Sequence, residues 1–169
     1  AYDIISLLKY KEAVLVQVIT TRLEAEEAKI IYQETAGLAI ITINRPQAKN
    51  ALTANMWDEL ARIALLTLEN PKNKVLLIRG AGENFTAGSD IKEFNSISLK
   101  DAEEAFIHME NTISTIENLP IPVIGVINGP AMGAGLELAL ACDIRIGSEK
   151  AKMGIPVGKL GITLNNKFA

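Results

Sequence analysis

At 169 residues, 49% of them hydrophobic and only 5% aromatic, the chain suits a single aliphatic α/β domain with a real core. A net charge of −3 without a basic stripe argues against nucleic acid as the main partner. Apolar runs far short of the roughly 18 residues of a membrane helix, with no leader-like start, point to a cytoplasmic protein that binds no membrane.

A single Cys142 and a single His108 provide neither an internal disulfide nor a metal-binding cluster, and both read as structural residues. Residues 1–29 read as an N-terminal extension of unassigned role, with a β-like run from Ala13 to Ile19 and a charged helical segment from Arg22 to Lys29. Residues 30–169 read as the core domain. Ile30-Ile31-Tyr32 and Gly37 to Ile43 flank a turn at Glu34 to Gly37 and predict a hairpin, which Asn44-Arg45-Pro46 ends. Thr53 caps a helix carrying Met56, Leu60, Ile63 and Ala64 at helical spacing, with Trp57 beside them. Lys74 to Arg79 reads as a buried strand. A second helix starts near Ser98, with Asp101 completing a near-match to a capping box and Ala102, Phe106, Met109, Ile113 and Ile116 on one face. Leu119-Pro120-Ile121-Pro122 stops it. A strand from Val123 to Ile127, a glycine-rich loop, a helix from Leu136 to Cys142 and a strand at Ile144 to Ile146 follow. Strands alternating with helices predict an α/β fold.

Two loops can carry chemistry. In the first, Asn128-Gly129-Pro130-Ala131-Met132-Gly133-Ala134-Gly135 joins a strand to a helix through very small residues, and Glu137 follows about one turn inside. Small residues let a ligand approach the backbone, and the first amides of a helix are unpaired donors suited to developing negative charge. The second is Glu83 to Glu93, directly after a strand. Gly133-Ala134-Gly135 is not a dinucleotide fingerprint, because Leu138 stands where a third glycine belongs. No serine occupies Pro130 to Ala134, which argues against a Clp-type peptidase.

Five ordered pieces together resemble the enoyl-CoA hydratase/isomerase (crotonase) family over about residues 30–161. They are Asn44-Arg45-Pro46 with Asn50-Ala51-Leu52, Phe85-Thr86-Ala87-Gly88-Ser89-Asp90-Ile91, Pro122-Val123-Ile124 with Asn128-Gly129, the glycine loop with Leu136-Glu137-Leu138-Ala139, and Cys142-Asp143. The resemblance implies a spiral of repeated β-β-α units, an acyl-CoA thioester as substrate and a homo-oligomer, a trimer or a dimer of trimers. It implies no separate cofactor, since coenzyme A is part of the substrate. The amides of Ala87 and Ala134 would hold the thioester oxygen, and Glu137 would move the proton. Lys49, Ala51, Leu52, Ser89, Asp90, Ile91, Gly133, Pro156 and Val157 would line the acyl-CoA site, with Asp90 shaping the loop backbone. Apolar neighbours raise the pKa of Glu137 while the helix start lowers it, and the residues leave that balance open.

Two departures qualify the resemblance. The family's second glutamate follows a proline in the segment Met153 to Gly161, where this chain has Val157; this puts hydration by a glutamate pair in question and leaves open chemistry needing an enolate hole and one base, such as a double-bond shift or decarboxylation. The family's chain also continues with helices beyond this point, so the expectation is a truncated C-terminal region. A catalytically weak acyl-CoA-binding or assembly protein is the alternative.

Overall fold

In the computed structural model, which describes residues 28–156, Ala36 and Gly37 adopt left-handed backbone (φ 48° and 85°). That turn folds strand β1 (Ile30–Thr35) antiparallel onto β2 (Leu38–Ile43), as the hairpin pattern predicts. The expected segments Ala13–Ile19 and 22–27 lie outside the described residues. Thr53 accepts a hydrogen bond from the Met56 amide at 3.3 Å and starts helix α1 (Ala54–Leu66). Strand β3 (Val75–Gly80) then pairs parallel with β2.

Asp90 caps a one-turn helix, α2 (Ile91–Phe94), by accepting from the Lys92 amide at 2.9 Å. Ser98 caps the long helix α3 (Leu99–Glu117) through the Asp101 amide at 3.2 Å. The face of α3 matches the expected one at Met109, Ile113 and Ile116 and departs from it at Phe106. Ala105, Met109, Thr112 and Ile116 are buried, whereas Phe106 is 51% exposed and packs its ring 5.1 Å from that of Phe94. Phe106 is spent on this surface pair with α2, a one-turn helix that carries no periodicity a sequence can reveal.

Strand β4 (Val123–Ile127) runs parallel to β3, and β6 (Ile144–Gly147) parallel to β4. The main sheet therefore has the order β1-β2-β3-β4-β6. A second sheet pairs β5 (Pro130–Met132) with β7 (Lys152–Gly154), and Thr86 joins it by a parallel bridge to Ala131. The chain thus repeats one unit: a strand of the large sheet, an extended piece in the small sheet, then a helix. It runs β3, Thr86, α2 and α3; then β4, β5 and helix α4 (Ala134–Ala141); then β6 and β7. These are the expected β-β-α turns, and α4 starts two residues earlier than the sequence suggests.

The core lies against one face of the large sheet. Ala39, Ile41, Ile43, Leu76, Ile78, Val123 and Ile127 meet Trp57, Leu60, Met109, Ile116 and Leu138 there. Cys142 is buried with them, and burial pushes its thiol up to about 12, so it packs as a small apolar residue. Trp57 is 1% exposed. Truncating it to alanine should lower the unfolding free energy by about 3–5 kcal/mol, measured by urea denaturation; an unchanged midpoint would contradict the packing.

Candidate active site

Strands β2, β3 and β4 are parallel, so the segments that leave them, Asn44 to Thr53, Ala81 to Asp90 and Asn128 to Gly133, gather at one edge of the sheet. Ligands of parallel α/β sheets bind beyond these carboxyl ends. All but one of the described residues expected to meet a ligand lie on those segments or next to them. The exception, Pro156, follows β7, which the small sheet brings to the same place. A shallow depression ringed by Glu34, Ala36, Asn70, Lys72 and Asn73 lies elsewhere. There Tyr32, Asn70 and Asn73 donate to Glu34, tying the hairpin turn to the approach of β3.

The segment Phe85 to Asp90 is held from both sides. Toward β5, the Phe85 and Thr86 amides donate to the Pro130 carbonyl at 3.1 and 3.2 Å, and the Met132 amide donates to the Thr86 carbonyl at 3.0 Å. On the other side, Ala87 donates to the Lys49 carbonyl at 3.0 Å, Leu52 to the Gly88 carbonyl at 2.8 Å, and Asp90 to the Leu52 carbonyl at 2.9 Å. The Gly88 amide meets the Thr86 hydroxyl at 3.1 Å. The amide of Ala87, assigned from sequence to the ligand, is therefore occupied: the Lys49 carbonyl takes its proton. Two residues on, the Ser89 amide has no acceptor among the described residues. Its side chain is turned inward, where its hydroxyl accepts from Trp57 Nε1 at 3.2 Å and lies 3.5 Å from Met109 Sδ.

The glycine loop approaches the same place. A Cβ on Gly88 would stand 2.9 Å from the Ala134 amide nitrogen and 3.1 Å from that of Gly135, so only glycine permits this contact. Gly133, at φ 56° and ψ −128°, directs the chain into α4, and the Gly133 amide is anchored on the Gly154 carbonyl at 2.9 Å. Ala134 is the first residue of α4 and its amide has no acceptor within the helix.

Glu137 stands in the first turn of α4, half-buried and without a hydrogen-bond partner among the described residues. Burial, and then the charge of Glu110 on α3, hold its carboxyl above the ordinary carboxylate range. A half-buried carboxylate with raised proton affinity, without a partner among the described residues and in the first turn of the helix that begins at Ala134, is suited to proton transfer.

The remaining expected residues divide. Lys49 is exposed in a left-handed conformation (φ 53°), and Ile91 is 53% exposed, so both can reach a ligand. Leu52 cannot: it is 0% exposed and both its backbone groups are bound within the fold. Ala51 is 8% exposed and its carbonyl is held by Arg45. These two support the loop rather than face a ligand, a correction to their expected contact. Asp90 shapes the backbone as expected, with one oxygen on the Lys92 amide and the other on Arg45 at 2.5 Å; the Arg45 hydrogen bond lowers its carboxyl below the usual range. Pro156 is half-buried, and Val157 lies outside the described residues. His108 bonds Asp58 at 2.5 Å, a structural tie between α3 and α1. Among the described residues no helix is long and apolar enough to cross a membrane.

The family pattern described as Enoyl-CoA hydratase/isomerase matches residues 33–167. A crotonyl-CoA hydratase of Syntrophomonas wolfei is 38% identical over 135 residues, which cover 79% of this chain and 52% of that protein. Among solved structures, an enoyl-CoA hydratase/carnithine racemase from Magnetospirillum magneticum has a TM-score of 0.77 at 34% identity, covering 83% of this chain and 54% of that one. An enoyl-CoA hydratase from Bacillus anthracis has a TM-score of 0.76 at 36% identity, covering 80% and 53%. The chain spans about half the length of these relatives. With a pattern matched over most of its length and a fold shared with hydratases of the same spiral, the chain belongs to the enoyl-CoA hydratase/isomerase family.

Proposed function

We propose that the protein acts on acyl-CoA thioesters through an enolate, with the amides of Ser89 and Ala134 holding the thioester oxygen and Glu137 carrying the proton. The observation behind this reading is that, among the described residues, the Ser89 amide next to Gly88 and the first amide of α4, which comes close to Gly88, have no acceptor, and the carboxylate of Glu137 in the first turn of α4 has no partner. Each donor contributes roughly 10²–10³ in rate in comparable sites. Lys49 offers its ammonium to the phosphates of coenzyme A, while Ile91 and Pro156 border the acyl path.

With valine at position 157, a single carboxylate favours a double-bond shift. Glu137 removes a proton from the carbon between the thioester and a 3,4 double bond, and the electron pair moves onto the thioester oxygen. The same carboxyl then returns its proton to the far end of the dienolate, leaving a 2-enoyl thioester. No other reactant is consumed. Full-length protein incubated with 3-enoyl-CoA and 2-enoyl-CoA should convert the first to its conjugated isomer faster than it hydrates the second. Binding of both without turnover would make this an acyl-CoA-binding protein; faster hydration would mean that another group supplies the second acid.

A further inference from the structure

Arg45 sits at the end of β2 and is not one of the groups that the proposed chemistry uses, yet it has the most directed set of contacts near it. One guanidinium nitrogen, Nη1, donates both to the Ala51 carbonyl at 3.1 Å and to Asp90 Oδ2 at 2.5 Å. Its own backbone amide donates to Asn50 Oδ1 at 2.9 Å. Asn50, 0% exposed, spends its other side-chain atom on the carbonyls of Ala81, Asn84 and Phe85. Arg45 thus links the segment after β2 to the segment after β3.

The consequence follows from peptide planarity. In a trans peptide the N–H points opposite to the carbonyl of the same plane. Holding the Ala51 carbonyl fixes the direction of the Leu52 N–H, which donates to the Gly88 carbonyl at 2.8 Å. That carbonyl belongs to the same plane as the Ser89 N–H, which is therefore aimed away from Leu52. The second contact fixes the following residue: Asp90 is held through its carboxylate by Arg45, through its amide by Leu52, and through its other oxygen by Lys92.

We infer that Arg45, through its ion pair with Asp90 and its bond to Ala51, is the positioning residue that aims the Ser89 amide, so that it governs the rate of enolate formation and not substrate affinity. This inference rests on the donor-pair reading above. A misaimed donor still leaves Ala134 and the binding surface intact, so the loss falls on turnover.

The test uses full-length protein carrying Asp90→Asn, which keeps an oxygen for the Lys92 amide while removing the charge, and Arg45→Met with Arg45→Lys as its conservative counterpart. Folding is checked by circular dichroism and thermal melting. For Asp90→Asn and Arg45→Met, kcat should fall about 10–100-fold with KM changed less than about threefold, as expected for slight misplacement of a transition-state donor. Arg45→Lys, which retains a cationic donor, should recover most of that loss. If Asp90→Asn fails to fold, the Lys and Met pair carries the comparison.

A spectroscopic arm separates this inference from the reading beneath it. The infrared stretch of a ¹³C-labelled thioester carbonyl in a bound saturated acyl-CoA should be lower in the wild-type protein than in water, and the variants should lose part of that lowering. Wild-type lowering that persists unchanged in every variant would overturn the role of Arg45 and leave the donor pair standing. No lowering in the wild type would overturn both. A kcat that follows only the loss of thermal stability, without rescue by lysine, would reduce Arg45 to a structural residue.

Discussion

Replacing Glu137 by glutamine should lower turnover of an acyl-CoA substrate by about 10²–10⁴-fold while thioester binding changes only a few-fold. Glutamine keeps the size and polarity of the side chain but cannot exchange a proton. The same change should leave the fold at least as stable at neutral pH. Burial and the charge of Glu110 raise the folded-state pKa of Glu137 above its ordinary value of 4.5, so the folded state favours the neutral carboxyl. Between the unfolded and folded values the folded state binds more protons, and stability therefore falls as pH rises through that window. Above it the penalty is complete, and glutamine removes it. The melting temperature of Glu137→Gln should accordingly match or exceed that of the wild type at pH 7, and the difference should vanish below pH 4.5. A residue kept at a cost to stability fits a functional site. In kcat/KM the wild type should rise with pH through an ionisation above the ordinary carboxylate range, the base acting as its anion. Unchanged turnover in Glu137→Gln would show that this carboxylate does no chemistry.

Much of the scaffold was legible because local rules and the global fold agree. The Ala36-Gly37 turn, the Thr53 and Ser98 caps and the apolar runs of β3 and β4 each announce an element that packs as its pattern demands. The short strands β5 and β7 were not legible: three residues each, they are extended because Thr86 and the main sheet place them side by side. Nor was it legible which amide of the second loop the fold leaves unbonded among the described residues. Ala87 and Ser89 both sit in the same run of small residues, and only the bond from Ala87 to the Lys49 carbonyl, 38 positions earlier in the chain, separates them. Arg45 carried a signal, as a charged residue directly at a strand end among turn-formers. Its partner Asp90 is 45 residues away, a pairing that one sequence does not disclose. Asn50, buried in left-handed backbone at φ 57°, is a position where asparagine is tolerated and most residues are not; its Asn50-Ala51-Leu52 motif was visible, but its three carbonyl partners were not.

The contact between the two loops yields the other large effect, expected for Gly88→Ala. At Gly88 a Cβ would lie 2.7 Å from the Met132 carbonyl oxygen, 2.9 Å from the Ala134 nitrogen and 3.1 Å from the Gly135 nitrogen. All three are backbone atoms, so no side chain can swing aside. The segment carrying them is also fixed, since the Pro130 and Thr86 carbonyls stitch the loops together. The residue further needs φ 87°, which costs an L side chain about 1–2 kcal/mol. Overpacking adds about 1–3 kcal/mol. A total loss of about 2–5 kcal/mol in urea denaturation follows from these two effects. On the proposed donor pair, turnover should fall by about 10²-fold, because the alanine would separate the Ser89 and Ala134 amides. Gly82→Ala isolates the strain. Gly82 has φ 68°, yet its Cβ would meet only Pro46 Cβ at 3.4 Å, so its substitution should cost about 1–2 kcal/mol with turnover nearly intact. If Gly88→Ala folds and turns over like the wild type, the close approach of the loops does not set the distance between the donors, and the site must be built from other amides.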